Sequence, residues 1–80
     1  MTLGEAITKR IQHYCKERNI TLNKLCTMSG IIQSTVNNIV SGKTSKPQVE
    51  TIYNLCLGLQ ITVSEFFDSP LFAATNIETE

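Results

Sequence analysis

The stretch TLNKLCTMSGIIQSTVNNIVSGK, residues 21–43, decides the fold of this 80-residue chain. Thr21 is a favourable N-cap and predicts the start of a short helix. Gly30 ends that helix, because glycine adopts positive φ without penalty. Apolar residues then recur at helical spacing and predict another helix from about 32 to 41, ended by Gly42. Two helices joined by a Gly-containing turn of about three residues form a helix-turn-helix unit.

The apolar residues of this unit predict which side of each helix packs inward. For the second helix of the chain, the predicted apolar contacts are Leu22, Leu25, Cys26 and Met28. For the third helix, the predicted core stripe is Ile32, Val36, Ile39 and Val40. The other side of each helix is then expected to face solvent or a partner.

Helical periodicity extends to the N-terminal residues, and no stretch alternates strictly enough to predict a strand. Thr2 and Glu5 have the spacing of a capping box and predict the start of a first helix. This helix is expected to run from about 3 to 18 and to stop at Asn19 in a left-handed conformation. Its predicted inner stripe is Leu3, Ile7, Ile11, Tyr14 and Cys15.

Two more helices are predicted after the loop that follows Gly42. The fourth runs from about 48 to 57, with Gly58 closing it. Its predicted inward residues are Val49, Ile52, Tyr53 and Cys56. Thr62 and Glu65 have capping-box spacing and predict a short fifth helix, which Asp68, Ser69 and Pro70 stop.

Five short helices with linkers of a few residues predict an all-α fold. We expect a compact five-helix, helix-turn-helix domain at residues 1–68 and a C-terminal extension at 69–80. Eighty residues bury only a thin core, which leaves no room for a deep substrate pocket. The sequence also offers no nucleophile–base pair and no Gly-rich phosphate loop, so we expect a protein that is not an enzyme.

Cysteine and histidine usage argues against a metal site. The three cysteines, Cys15, Cys26 and Cys56, are odd in number and widely spaced, and His13 is the single histidine. Each cysteine has an apolar helical position, which is typical of small core residues in a reducing compartment.

No apolar stretch approaches the roughly 20 residues that span a membrane, and the N-terminal residues do not form a signal peptide. We therefore expect a cytoplasmic protein without membrane contact, cofactor, metal or small-molecule ligand.

The charges of the chain are divided unevenly, although the net charge is zero. Residues 1–50 contain all seven basic residues and three acids, which gives +4, and residues 51–80 contain four acids and no Lys or Arg, which gives −4. This asymmetry indicates a basic binding face and an acidic far side. The alternative is a chance imbalance in a small protein.

The predicted third helix has a polar face without charge, formed by Gln33, Ser34, Asn37, Asn38 and Ser41. Solvent-facing helix sides usually carry stronger helix formers, since Asn and Ser each cost up to about 0.7 kcal/mol relative to Ala. In the major groove of DNA, however, Asn and Gln amides pair bidentately with adenine N6 and N7. This face is therefore either an idle polar surface or a surface that reads bases.

Several linked features extend from this unit towards the C-terminus. They are Leu25 before a small residue, Gly30 in the turn, the run Ser34-Thr35-Val36 followed by Ile39, the pair Gly42-Lys43, and then PQVETIYNLCLGLQITVSEFF. At these spacings the chain resembles the Cro/C1-type helix-turn-helix family, the lambda-repressor-like DNA-binding domains, over roughly residues 3–68. The resemblance implies five helices, a homodimer and sequence-specific binding to duplex operators.

The resemblance also implies roles for individual residues, with the third helix entering the major groove. The candidates for base contact are Gln33, Ser34, Asn37 and Asn38, with Ile32 and Thr35 as further edge contacts. Phosphate contacts position such a helix, and their candidates are Lys43, Thr44, Ser45, Lys46, Thr21 and Asn23. The helix-one cations Lys9, Arg10 and Lys16 are expected to be general solvated charge.

The sequence departs from the family pattern at three positions. Leu22 stands where Gln often touches phosphate, so its side chain is expected either to pack or to sit exposed. Ile32 stands where Ser or Thr often caps the helix, and it is either buried or in contact with a thymine methyl. Val40 stands where Glu often pairs with an Arg of helix one, which leaves the partner of Arg10 open.

A single recognition helix reads only a few base pairs, so a two-fold dimer is expected to read two half-sites about one turn apart. The candidate dimer contacts are Phe67, Leu71 and Phe72, for which intrachain packing is an equal alternative.

The leading functional hypothesis is a transcriptional repressor. The alternative is a protein-interaction module on the same fold, such as an antitoxin that holds a protein partner.

Overall fold

The computed structural model of the protein describes residues 1–44 and 46–78. Within these ranges the chain is all-α, as predicted. It forms α1 (Leu3–Glu17), α2 (Leu22–Ser29), α3 (Gln33–Val40), α4 (Val49–Leu59) and α5 (Val63–Phe67), followed by a 3-10 turn at Pro70–Phe72. Every helix is too short or too polar, over the described residues, to cross a membrane.

Three helices begin at a threonine whose hydroxyl accepts a hydrogen bond from the backbone, as the sequence predicted. Thr2 and Thr62 complete capping boxes with Glu5 and Glu65. Thr21 accepts from the backbone N–H of Lys24 at 3.1 Å. These local bonds satisfy N–H groups that have no partner within the helix, so the three starts could be predicted from local sequence.

Left-handed residues end helices and turn the chain towards its next element. Asn19 has φ 54°, which confirms the predicted stop, and Gly30 and Gly42 have φ 66° and 84°. The prediction that Gly58 closes the fourth helix is wrong, because α4 continues to Leu59 and its left-handed residue is Gln60, with φ 58°. Gly58 serves a packing role instead.

The helix α4 packs against the helix-turn-helix unit. A Cβ atom added to Gly58 would clash with the hydroxyl of Ser29 and would lie 3.0 Å from its backbone Cα and N. The glycine thus allows the end of α2 to approach α4 closely. Around this contact lies one core, whose largest fully buried side chains are Phe66, Ile11, Leu25, Leu55, Leu59, Val36 and Cys56.

Several apolar residues predicted to face inward are exposed. Ile32 exposes 74% of its surface, Val49 81% and Tyr53 52%, and Leu3 and Met28 are also exposed. In α4 the core is formed instead by Ile52, Leu55, Cys56 and Leu59. Because apolar residues occur on nearly every side of this helix, its periodicity does not define the inward side, and neighbouring helices decide it.

Arg10 was predicted to be solvated, but it joins α1 to the end of α5. Its Nε donates to the carbonyl of Phe66 at 2.7 Å, and its Nη2 donates to the carbonyl of Glu65 at 2.7 Å. Carbonyls at a helix C-terminus lack partners within the helix and attract cations. The guanidinium also lies 4.7 Å from the ring centre of Tyr14. Arg10 therefore has backbone carbonyls as partners.

The C-terminal segment folds back on the body of the protein. Phe72 packs against the core, and its ring centre lies 4.8 Å from that of Phe67 and 6.2 Å from that of Phe66. At the chain ends, Glu78 donates its backbone N–H to the carbonyl of Met1 at 2.8 Å. The three cysteines are unbridged thiols, and burial raises the pKa of each.

Candidate nucleic-acid interface

The exposed side of α3 carries the polar side chains that the sequence singled out. Gln33, Ser34, Asn37, Asn38 and Ser41 are all exposed. The opposite side buries Val36 and Ile39, which fix the rotation of the helix about its axis. The structure therefore presents the two Asn amides and the Gln amide together on one surface.

The backbone of α3 is held by α1. The hydroxyl of Thr8 lies within hydrogen-bond distance of two carbonyls, that of Gly4 at 2.9 Å and that of Ile39 at 3.2 Å. Because the second carbonyl belongs to the last turn of α3, this contact joins the two helices directly. The last turn of α3 is thus connected to α1 on the side opposite its polar face.

The first residue of α3 is connected to α2 by a pair of side-chain amides. Nε2 of Gln33 donates a hydrogen bond to Oδ1 of Asn23. A primary amide has two N–H donors and a carbonyl acceptor, so this bond leaves one donor and the acceptor of Gln33 for another ligand. Asn23, predicted to contact phosphate, therefore lies against the base-contact candidate Gln33.

The other end of α3 is closed by a loop that carries basic residues. The carbonyl of Asn38 accepts from the backbone N–H of Thr44 at 3.0 Å. This bond turns residues 41–44 back against the helix, with Lys43 exposed and Thr44 half-buried. Lys46 is exposed after it, whereas the predicted contact Ser45 lies outside the described residues. Positive charge thus follows the polar face at its C-terminal end.

Thr21 lies at the start of α2, and its hydroxyl oxygen already caps that helix. A hydroxyl that accepts a hydrogen bond can still donate its proton, so the cap and a contact to a phosphate oxygen are compatible. Leu22, which follows, is half-buried against the core. Of the two outcomes expected for Leu22, packing is the one observed.

The two predicted edge contacts on α3 differ in position. Ile32 immediately precedes the helix and forms no side-chain cap, and its exposure rules out the predicted core role. Thr35 is half-buried and lines a cleft of about 240 Å³ with Asn38 on α3 and with Gln48 and Thr51 at the start of α4. The start of α4 therefore lies beside the middle of α3.

Residues 10–70 match the model of the Cro/C1-type HTH DNA-binding domain. The chain belongs to this Cro/C1-type family. A solved structure described as "Crystal structure of the prophage Lp1 protein 11" is similar, with 34% identity over 91% of this chain and 96% of that chain, and a TM-score of 0.83. No curated protein matches the chain.

Membership of the Cro/C1-type family assigns the general activity of the chain, which is DNA binding in transcription regulation. The match includes α2, the turn and α3, so it spans the whole helix-turn-helix unit. Individual contacts to bases and phosphates remain predictions.

The residues predicted to form dimer contacts in this Cro/C1-type domain are partly buried by contacts within their own chain. Leu71 and Phe72 are half-buried, and Phe67 is 36% exposed while its ring packs edge-on against Phe66 and Phe72. Phe67 and Phe72 thus form one aromatic cluster with Phe66 of the core.

Sequence reasoning missed an exposed apolar surface on α4, which we call the α4 stripe: Val49, Tyr53 and Leu57. The spacing i, i+4, i+8 puts the three side chains on one side of the helix. This signal was present in the sequence, but a second apolar set at 52, 55, 56 and 59 overlaps it. One apolar side of α4 thus forms the core, and the other is exposed.

Proposed function

We propose that this protein is a repressor that binds operator DNA as a homodimer, with α3 inserted in the major groove. One observation carries this proposal: the exposed side of α3 consists of neutral amides and hydroxyls and is followed by exposed lysines. Neutral amides suit base edges, and lysines suit phosphates. This division of roles accounts for a surface that is polar without charge.

The base contacts are assigned to three amides and one hydroxyl. Gln33 and Ser34 lie at the N-terminal end of α3, which usually contacts base edges in helix-turn-helix complexes. Asn37 and Asn38 lie one turn further along the same exposed side. Each amide that pairs bidentately with adenine provides about 1–3 kcal/mol of discrimination, so A·T pairs are expected at the contacted positions.

The phosphate contacts are assigned to both ends of α3. Lys43, Thr44 and Lys46 follow the helix, Asn23 contacts its first residue, Gln33, and Thr21 lies at the start of α2. Contacts at two ends would hold the helix in register along the groove without specifying sequence. The predicted domain boundary fits this assignment, because 1–68 includes every candidate contact to DNA and 69–80 includes none.

A repressor is the simplest role for such a domain, because a protein bound over a promoter blocks access to it. Selection of binding sites from a random duplex library, followed by footprinting, tests the proposal. We expect an inverted repeat with half-sites about one helical turn apart and at least one A·T pair in each half-site. Binding of equal strength to all duplexes would contradict sequence-specific recognition.

A second candidate function is a module that holds a protein partner, such as an antitoxin, and the exposed α4 stripe favours it. Replacement of both Asn37 and Asn38 by alanine separates the two functions. Specific DNA binding is lost if α3 reads bases, whereas a partner bound on α4 is retained. A protein that binds no duplex specifically, and whose double variant still holds a partner on α4, would favour the interaction module.

A further inference from the structure

Among the described residues, the α4 stripe carries three of the eight large apolar side chains that are exposed. Val49 is 81% exposed, Leu57 57% and Tyr53 52%. A single exposed apolar residue is ordinary, but a contiguous set marks an interaction surface. The opposite side of the same helix already forms the core through Ile52, Leu55 and Leu59, so the stripe faces away from the protein's own interior.

The size of the stripe fits a small protein–protein interface. A specific interface buries about 800 Å² on each partner. Three large side chains at these exposures provide a good part of the apolar centre of such a contact. The polar residues that border them on α4, including Glu50, would form its rim, in the arrangement of an apolar centre and a polar edge that interfaces share.

The charge pattern favours a second copy of this chain in antiparallel orientation. The loop before α4 carries Lys43 and Lys46 and the first turn of α4 carries Glu50, so this end is net positive, whereas α5, which follows α4, carries Glu65 and is followed by Asp68. If two α4 helices pair in opposite directions, the basic end of one lies near the acidic end of the other. A parallel pair would place like charges together, which opposes association.

We propose that the α4 stripe pairs with the α4 stripe of a second copy, antiparallel, about a two-fold axis at Tyr53. Tyr53 then meets Tyr53 of the second copy, and Val49 of each copy meets Leu57 of the other. This inference deepens the proposed function, on which it rests, because it names the surface that forms the homodimer. The surface is α4 and not the set of Phe67, Leu71 and Phe72 that the sequence predicted.

The position of α4 relative to α3 suits the spacing of half-sites. The start of α4 lies beside α3, across the cleft lined by Thr35 and Gln48. Antiparallel pairing would put the two α3 helices at opposite ends of the α4 pair. An 11-residue helix is about 16 Å long and about 10 Å wide. One α4 length plus one helix width on each side approaches the half-site separation of about 34 Å.

Sedimentation equilibrium of the full chain, from micromolar to millimolar concentration, tests the interface. We expect the wild type to dimerise and Tyr53→Glu to raise the dimer dissociation constant at least ~100-fold, because the two-fold axis brings two like charges together. Leu57→Lys, read in the same way, provides a second variant. Circular dichroism verifies that the variants are folded, as expected for substitutions at exposed positions.

Two matched controls locate the effect. Leu3→Glu introduces the same charge at an exposed apolar residue on α1, and it should leave the dissociation constant within about twofold. Phe67→Glu tests the aromatic cluster, and it should also leave dimerisation intact. A monomeric wild type at millimolar concentration, or dissociation by Phe67→Glu with Tyr53→Glu still dimeric, would overturn the proposal.

Mixing two charge variants tests the two-fold axis. Tyr53→Glu and Tyr53→Lys should each be monomeric alone and should form a heterodimer when mixed, since opposite charges then meet at the axis. Two monomeric variants that fail to associate on mixing would refute the antiparallel arrangement.

The same samples separate this inference from the proposed function. A wild-type dimer that depends on Tyr53 but binds no duplex in the library selection would support the α4 interface and contradict operator binding. A monomer that binds duplex DNA specifically would do the reverse.

Discussion

The start of α4 lies beside α3 across a small cleft, and each helix turns one side to solvent, but the two exposed sides have opposite chemistry. On α3 the exposed side is formed by amides and hydroxyls, including Asn37 and Asn38, and on α4 it is formed by Val49, Tyr53 and Leu57. Amides form hydrogen bonds with base edges. Apolar side chains, in contrast, stabilise a complex when another surface removes them from water. The difference fits the two proposed contacts, operator DNA on α3 and a second copy of the chain on α4.

The helix starts separate α3 and α4 from the other three helices. The scaffold helices α1, α2 and α5 each have a threonine cap, whereas α3 begins at Ile32 and α4 at Gln48 without a side-chain cap. Local sequence therefore stabilises α1, α2 and α5 more than it stabilises α3 and α4. The two helices with exposed binding chemistry depend more on packing against their neighbours.

The largest expected effect is a loss of DNA affinity when the exposed side of α3 is changed. Asn37→Ala combined with Asn38→Ala should weaken binding to the selected operator by at least ~100-fold, because two bidentate contacts are lost. Electrophoretic mobility shift titrations measure this effect. The control is Ser64→Ala with Thr75→Ala, two exposed hydroxyls outside α3. Equal affinities for the two double variants would show that α3 does not read bases.

The next largest effect concerns the inner side of α4. Gly58→Ala should lower the free energy of unfolding by about 1–2 kcal/mol, because overpacking against Ser29 outweighs the gain in helix propensity. Urea denaturation measures it. Leu57→Ala, one residue away and exposed, is the control and should change stability much less when both are measured at low protein concentration. A stabilised Gly58→Ala variant would mean that α2 can shift away from α4.

A smaller effect is expected from the loop after α3. Lys43→Ala should reduce the slope of log affinity against log salt by about 0.9, since one phosphate contact is lost. Affinity should fall by the same factor for operator and unrelated duplexes. Lys24→Ala removes the same charge from an exposed position on α2 and should leave the slope closer to that of the wild type. A change of base preference in Lys43→Ala would contradict a purely phosphate role.

The smallest effect is expected at the link between α2 and α3. Asn23→Ala removes the acceptor for Gln33 and should weaken operator binding by about 3–10-fold, the scale of one hydrogen bond. Asn23→Asp keeps that acceptor, so preference for the base read by Gln33 should survive despite a general loss of affinity. If Asn23→Asp loses this preference as fully as Asn23→Ala does, the contact to Gln33 does not position the amide.

Local chemistry made much of the fold predictable. The caps at Thr2, Thr21 and Thr62 and the left-handed stops at Asn19 and Gly30 are properties of a few neighbouring residues, and each was predicted correctly. The polar side of α3 was equally accessible, because one apolar pair on its inner side, Val36 and Ile39, has a clear helical period. The contacts that these residues make to DNA stay predictions.

What the sequence by itself determined about this protein is the set of helices, the three starts that are capped by threonine, and the polar side of α3. Only the tertiary structure decided which side of α4 is buried, where Arg10 binds and that Gly58 lies inside a helix against Ser29. The physical reason is the distance along the sequence between the residues that interact. Caps and turns depend on bonds between residues three or four apart, whereas the buried side of an apolar helix, the partner of a long cation and a close helix contact depend on elements that are distant in sequence.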